Sequence, residues 1–113
     1  MASVQKTELL ASTALTASLD GSGKALEPHQ INPVGWLDVS VNDGSTTIDC
    51  DIEHSADGSN WVVVGSFTQV VNTVSRQELQ IIKNLLPFVR ASITLAGTPA
   101  ATVAVSLYHS IRK

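Results

Sequence analysis

Residues Ile48 to Val64 constrain the fold more than any other stretch of the chain. In Ile48-Asp49-Cys50-Asp51-Ile52-Glu53, apolar and acidic side chains alternate one for one. Successive side chains of a β-strand point to opposite faces, so this segment has one apolar and one acidic face. After a polar segment centred on Asp57-Gly58 comes Trp61-Val62-Val63-Val64, aromatic and β-branched residues that suit a pleated surface. Glycine has no Cβ to clash, so Asp-Gly can supply the left-handed backbone of a tight turn. The stretch reads as a β-hairpin.

The rest of the chain can be arranged as strands around it. Gly35 to Asn42 puts Leu37, Val39 and Val41 inward and Asp38, Ser40 and Asn42 outward, and Asn42-Asp43-Gly44-Ser45 turns into the hairpin as a meander. Phe88 to Leu95 places Val89, Ala91, Ile93 and Leu95 on one face. Thr102 to Ile111 places Val103, Val105, Leu107 and Ile111 inward, with Thr102, Ala104, Ser106, Tyr108 and Ser110 outward. Glu8 to Leu19 alternates less cleanly and reads as a strand, with Ser and Thr weakening a helical alternative. Arg76 to Lys83 fits neither period well and is read as a strand, and the segment after Phe67 reads as a loop or irregular edge. Turn signals punctuate the chain at Asp20-Gly21-Ser22-Gly23, Asn32-Pro33, Asn84 to Pro87 and Ala96 to Pro99. The expectation is an all-β fold: an antiparallel β-sandwich, Ig-like or jelly-roll-like, of seven or eight short strands. Residues 1–6 show no pattern and are expected as a flexible N-terminal arm, with 7–113 as a single β-sandwich domain.

A chain of 113 residues can bury a core without metals or disulfides. Its one cysteine, Cys50, lies on the apolar side of its strand, the place of an inert buried thiol. A net charge of −3 leaves no electrostatic footprint for nucleic acid. No apolar run approaches the length of a membrane-spanning helix, and no secretory signal is expected at Met1 to Leu10.

Candidate chemistry is sparse. Asp49, Asp51 and Glu53 share a face and suggest calcium, but alternate strand residues stand ~6.5–7 Å apart, too far to converge on one ion. A solvated acidic face is the simpler reading. His29, His54 and His109 lack a ligand spacing, and His54 and His109 read as strand-end residues at the rim of the core. Cys50 and His54 are too far apart along one strand to form a catalytic pair. No nucleophile elbow or phosphate loop is present, so no enzyme and no cofactor are expected. Trp61 is expected to pack across the hairpin mouth and cap the core. Trp36 lies off the Leu37-Val39-Val41 face and is a candidate anchor for a partner.

Three pieces, His54-Ser55-Ala56-Asp57-Gly58-Ser59-Asn60-Trp61, Leu86-Pro87-Phe88-Val89-Arg90 and Ile93 to Ala100, occur here in one order. Together they resemble the small β-sandwich virion proteins that tailed bacteriophages encode in their head-assembly region, over about Leu37 to Tyr108. The resemblance implies a capsid decoration (cement) protein on the outside of the head shell. Its partner would be the major capsid protein or other virion subunits. It also implies a homo-oligomer, with a trimer as one arrangement, and a place in the virion after assembly in the host cytoplasm. Interface residues are then expected in the arm, Met1, Ala2, Ser3, Val4, Gln5 and Lys6, and at Trp36. A head–tail connector or tail component is the related alternative. The same hairpin and Arg-ending strand are also similar to discoidin-type carbohydrate-binding domains for host adhesion, although the long aromatic and basic loops of those domains are missing.

Overall fold

The alternating segments form strands, and the strands form two antiparallel sheets, in the computed structural model. It describes residues 2–26, 30–42, 46–82, 84–97 and 100–112. In chain order the strands are β1 (Ala2–Leu15), β2 (Leu19–Asp20), β3 (Lys24–Ala25), β4 (Gln30–Asn42) and β5 (Thr46–Ser55). They continue as β6 (Val62–Ser66), β7 (Val70–Val71), β8 (Ser75–Gln80), β9 (Phe88–Gly97) and β10 (Ala101–Arg112). One sheet has the order β1-β10-β4-β8. The other has β2-β9-β5-β6, with β3 also on β9 and β7 also on β5.

Taking β2/β3 as one interrupted strand beside β9, and β6/β7 as one beside β5, leaves two sheets of four. Renumbered that way, the orders are 1-8-3-6 and 2-7-4-5, which is the jelly roll, the second of the two sandwich types expected. Among these eight strands, all successive pairs except the hairpin between the fourth and fifth cross from one sheet to the other. β4 and β5 therefore do not pair, and the expected meander through 42–45 is replaced by a crossover whose residues 43–45 lie outside the described ones.

The core lies between the sheets. Leu37, Val39, Val103, Val105 and Leu107 face Ile48, Cys50, Ile52, Val89, Ala91 and Ile93, all buried, and Leu9, Phe67, Val70 and Ile81 close the margins. Each of the Val, Leu, Ile and Phe side chains among them contributes about 1.5–3 kcal/mol on burial. The alternation assigned these faces correctly on β5, β9 and the middle of β10.

It failed at Val41, which is 42% exposed. Val39 pairs with Val103 but Val41 pairs with Thr102, so Ser40 is an extra residue on β4. Such a bulge reverses the phase of everything beyond it. The N-terminus also differs from expectation. Ala2 to Lys6 are the first part of β1, paired in register with Arg112 back to Tyr108. Main-chain hydrogen bonding needs no alternating side chains, which is why a segment without pattern can still be a strand. Met1 lies outside the described residues.

Candidate interaction surface

Two residues singled out from sequence, Lys6 and Trp36, are 30 positions apart in the chain but lie on one surface, the outer face of the β1-β10-β4-β8 sheet. Direct cross-strand partners share a face. In one row the register therefore aligns Glu8, Ser106, Trp36 and Glu78, and in the next row Lys6, Tyr108, Val34 and Gln80. The row between them, Thr7, Leu107, Gly35 and Leu79, belongs to the opposite, core-facing side of the sheet, where Leu107 and Gly35 are buried.

Trp36 and Val34 are half-buried, Tyr108 is 36% exposed, and Ser106 is buried beneath its larger neighbours. The Lys6 ammonium lies 6.0 Å from the centre of the Tyr108 ring. Beyond these rows, Arg76 reaches Asp38 at 3.4 Å. Glu8 and Glu78 are exposed and have no ion-pair partner among the described residues. An aromatic and aliphatic centre with a charged rim is the anatomy of an interface patch. Sequence reading missed Tyr108, Val34 and Glu78 because their nearness to Trp36 depends on strand order. Of the other expected interface residues, Gln5 pairs with His109 and falls on the opposite face from Lys6, while Ala2, Ser3 and Val4 are placed as strand backbone.

The second sheet carries a different construction on its outer face. The Arg90 guanidinium covers the Trp61 ring at 4.5 Å, its Nε donates to Glu53 Oε1 at 2.7 Å, and its outer nitrogen lies 3.8 Å from Asp20. Trp61 therefore packs on the outside of this sheet and not over the mouth of the core, because the pairing of Arg90 with Glu53 places its cation there. Gly23 lies so close that a Cβ on it would come within 2.9 Å of the Trp61 ring. Glu53 is thus tied to Arg90, and Asp49 accepts from the Gln69 amide at 3.0 Å. Two of the three carboxylates of the acidic face, Glu53 and Asp49, are engaged with neighbouring side chains.

The hairpin loop is internally braced. Ser55 Oγ accepts from the N–H groups of Asp57 and Gly58 and donates to Asp57 Oδ1 at 2.9 Å. The Asp57 carboxylate also accepts from the amides of Asn60 and Ser59 and from the Asn60 side chain. These donors, the Asn60 and Ser59 amides first, hold its carboxyl well below the usual carboxylate range. Gly58 has φ +81°, the left-handed conformation that the Asp-Gly pair predicts.

His109 is buried, with Nε2 3.2 Å from Thr7 Oγ1, and His54 Nδ1 accepts from the Leu86 amide at 3.1 Å. His29 lies outside the described residues. Burial, then the nearby Asp51 charge, pushes the Cys50 thiol up to about 12.

No protein-family model matches the chain, and no curated protein sequence does. Its fold matches solved structures. Against a chain from the structure of infectious bursal disease virus, Gx strain, the TM-score is 0.66 at 9% identity over 98% of this chain and 33% of that one. Against the VP2 subviral particle of infectious bursal disease virus it is 0.60 at 11% identity, again over 98% and 33%. The chain thus spans about a third of the length of these virus chains. A structure of Bacillus endospore appendages, disulfide-linked pili, gives 0.50 at 12% identity over 99% of this chain and 92% of that one. At such identities the likeness is one of fold: this chain has a β-sandwich of a kind found in virus particles and pili.

Proposed function

We propose that the chain is a structural protein of a tailed-phage virion, a capsid decoration protein that binds the outside of the head shell. The observation that carries this reading is the fold match: 98% of the chain superposes on part of a virus-particle chain at a TM-score of 0.66. The motifs behind the sequence resemblance add support, because they meet in space. Trp61 of the first stacks under Arg90 of the second, so the motif order corresponds to one structural joint between β9 and the hairpin.

In this reading each copy binds across adjoining shell subunits and adds buried area that expansion or rupture would have to expose. Anything that binds only the intact arrangement stabilises it. Many weak contacts on a repeating lattice hold where one would not.

The test is co-sedimentation of the purified chain with heads of the phage that encodes it, prepared with and without the chain. Saturable binding at a fixed ratio to the major capsid protein, with a higher rupture temperature for the decorated heads, is expected. Recovery of the chain only in tail or connector fractions would replace decoration by the connector reading. Absence from all virion fractions would overturn the proposal.

A further inference from the structure

We infer that the outer face of the β1-β10-β4-β8 sheet is the contact surface for a second copy of this chain, in a face-to-face twofold dimer. The argument rests on the two rows of side chains on that face and is independent of the virion reading.

An isologous interface must be complementary to itself. The first row reads Glu8, Ser106, Trp36, Glu78 and the second reads Lys6, Tyr108, Val34, Gln80. A twofold axis between the rows and perpendicular to the strands exchanges them. Lys6 then meets Glu8 of the second copy, and by symmetry the pair forms twice. The large Trp36 meets the smaller Val34, Tyr108 meets the small Ser106, and Glu78 meets the amide of Gln80. Every position finds opposite charge, a hydrogen-bonding partner or complementary size.

The other face-to-face arrangement, with the axis parallel to the strands, brings Glu8 against Glu78 of the second copy. Like charges set against each other suppress an arrangement, so the first one is selected. Glu8 and Glu78 have no ion-pair partner within the monomer among the described residues, which leaves them available. Two such sheets pack with their strands within about 30° of alignment, and that keeps the rows in register near the axis. Four strands span only ~19 Å, so the area is at the small end for a specific interface and the dimer forms reversibly.

Sedimentation equilibrium of the full chain, over about 10–500 µM to suit an interface of that size, tests the inference. The wild type is expected to pass from monomer to dimer. K6E and E8K each create two like-charge contacts and should each raise the dissociation constant at least about tenfold, while the double variant K6E/E8K restores the pairs with reversed polarity and returns to within about threefold of wild type. Both positions changed, Lys6 and Glu8, are exposed strand sites, and circular dichroism confirms that each variant is folded. A chain that stays monomeric throughout, a trimer, a dimer indifferent to the single reversals, or a double variant no better than the singles would each overturn the inference.

Discussion

Gly35 on β4 faces Ile52 of the other sheet, and its missing side chain makes room for the Ile52 Cδ1 methyl. A Cβ built there would lie 2.5 Å from Ile52 Cδ1, 3.1 Å from Phe67 Cζ and 3.6 Å from Leu79 Cβ. Carbon atoms prefer about 3.5–4.0 Å, so Gly35→Ala overlaps Cδ1 by ~1 Å or more. Ile52 is 0% exposed and cannot swing into solvent. Overpacking of this kind costs about 1–3 kcal/mol, offset in part by the ~0.4–1 kcal/mol that a Gly→Ala change gains through the unfolded chain. Ile52→Val removes Cδ1, the atom in conflict, and alone costs about 0.5–1.5 kcal/mol. The double variant should therefore be more stable than the two single costs imply, with a coupling of about 1–2 kcal/mol. Urea unfolding of the four proteins, compared at equal m-values, measures it. Additivity within about 0.5 kcal/mol, or a Gly35→Ala protein as stable as wild type, would refute the packing argument.

Arg90→Ala leaves the half-buried Glu53 carboxylate without its cation and uncovers Trp61, so it should cost about 1–3 kcal/mol and shift Trp fluorescence to the red. An unchanged melting temperature would show that the stack is incidental. Cys50, raised to about 12 by burial and then by Asp51, should react with a disulfide reagent at pH 8 only as fast as the protein opens. Prompt labelling of the native protein would contradict its burial. For Asp57 the folded-state value is depressed below 3.8. Its stabilisation is thus present above the unfolded value and lost as pH falls through the folded one. Asp57→Ala should melt below wild type at pH 7, and the gap should close as the pH falls below about 4. A gap independent of pH would point to loop geometry and not to the charge.

A decoration protein and a face-to-face dimer are compatible on this scaffold, because the paired sheet face leaves the second sheet and both ends of the sandwich accessible. Trp61, Arg90 and the braced Asp57 loop lie on that second sheet. Their rigidity comes from hydrogen bonds already made within the monomer, so a partner docking there would have little loop ordering to oppose it.

Local pattern was enough to identify strands and their inward faces. Ile48-Cys50-Ile52, Val89-Ala91-Ile93 and Val103-Val105-Leu107 are buried as the alternation requires, since side-chain direction is a property of consecutive residues. Gly58 was legible for the same reason: its φ of +81° is a demand of the turn on one residue. Beyond the β5–β6 hairpin, what the sequence left open was which strand lies beside which. Pairing Ala2 with Arg112, or Trp36 with both Ser106 and Glu78, depends on hydrogen bonds between distant segments whose backbones are chemically alike. Hence the jelly-roll order, the strand in place of an arm and the crossover in place of a meander came only from the tertiary structure. The reversal of Val41 belongs with them, because a bulge is a mismatch between two strands and leaves no mark on either alone. The candidate interface divides the same way. Trp36 and Lys6 stood out by residue type, but the surface that joins them to Tyr108, Val34, Glu8 and Glu78 exists only once β10 lies between β1 and β4.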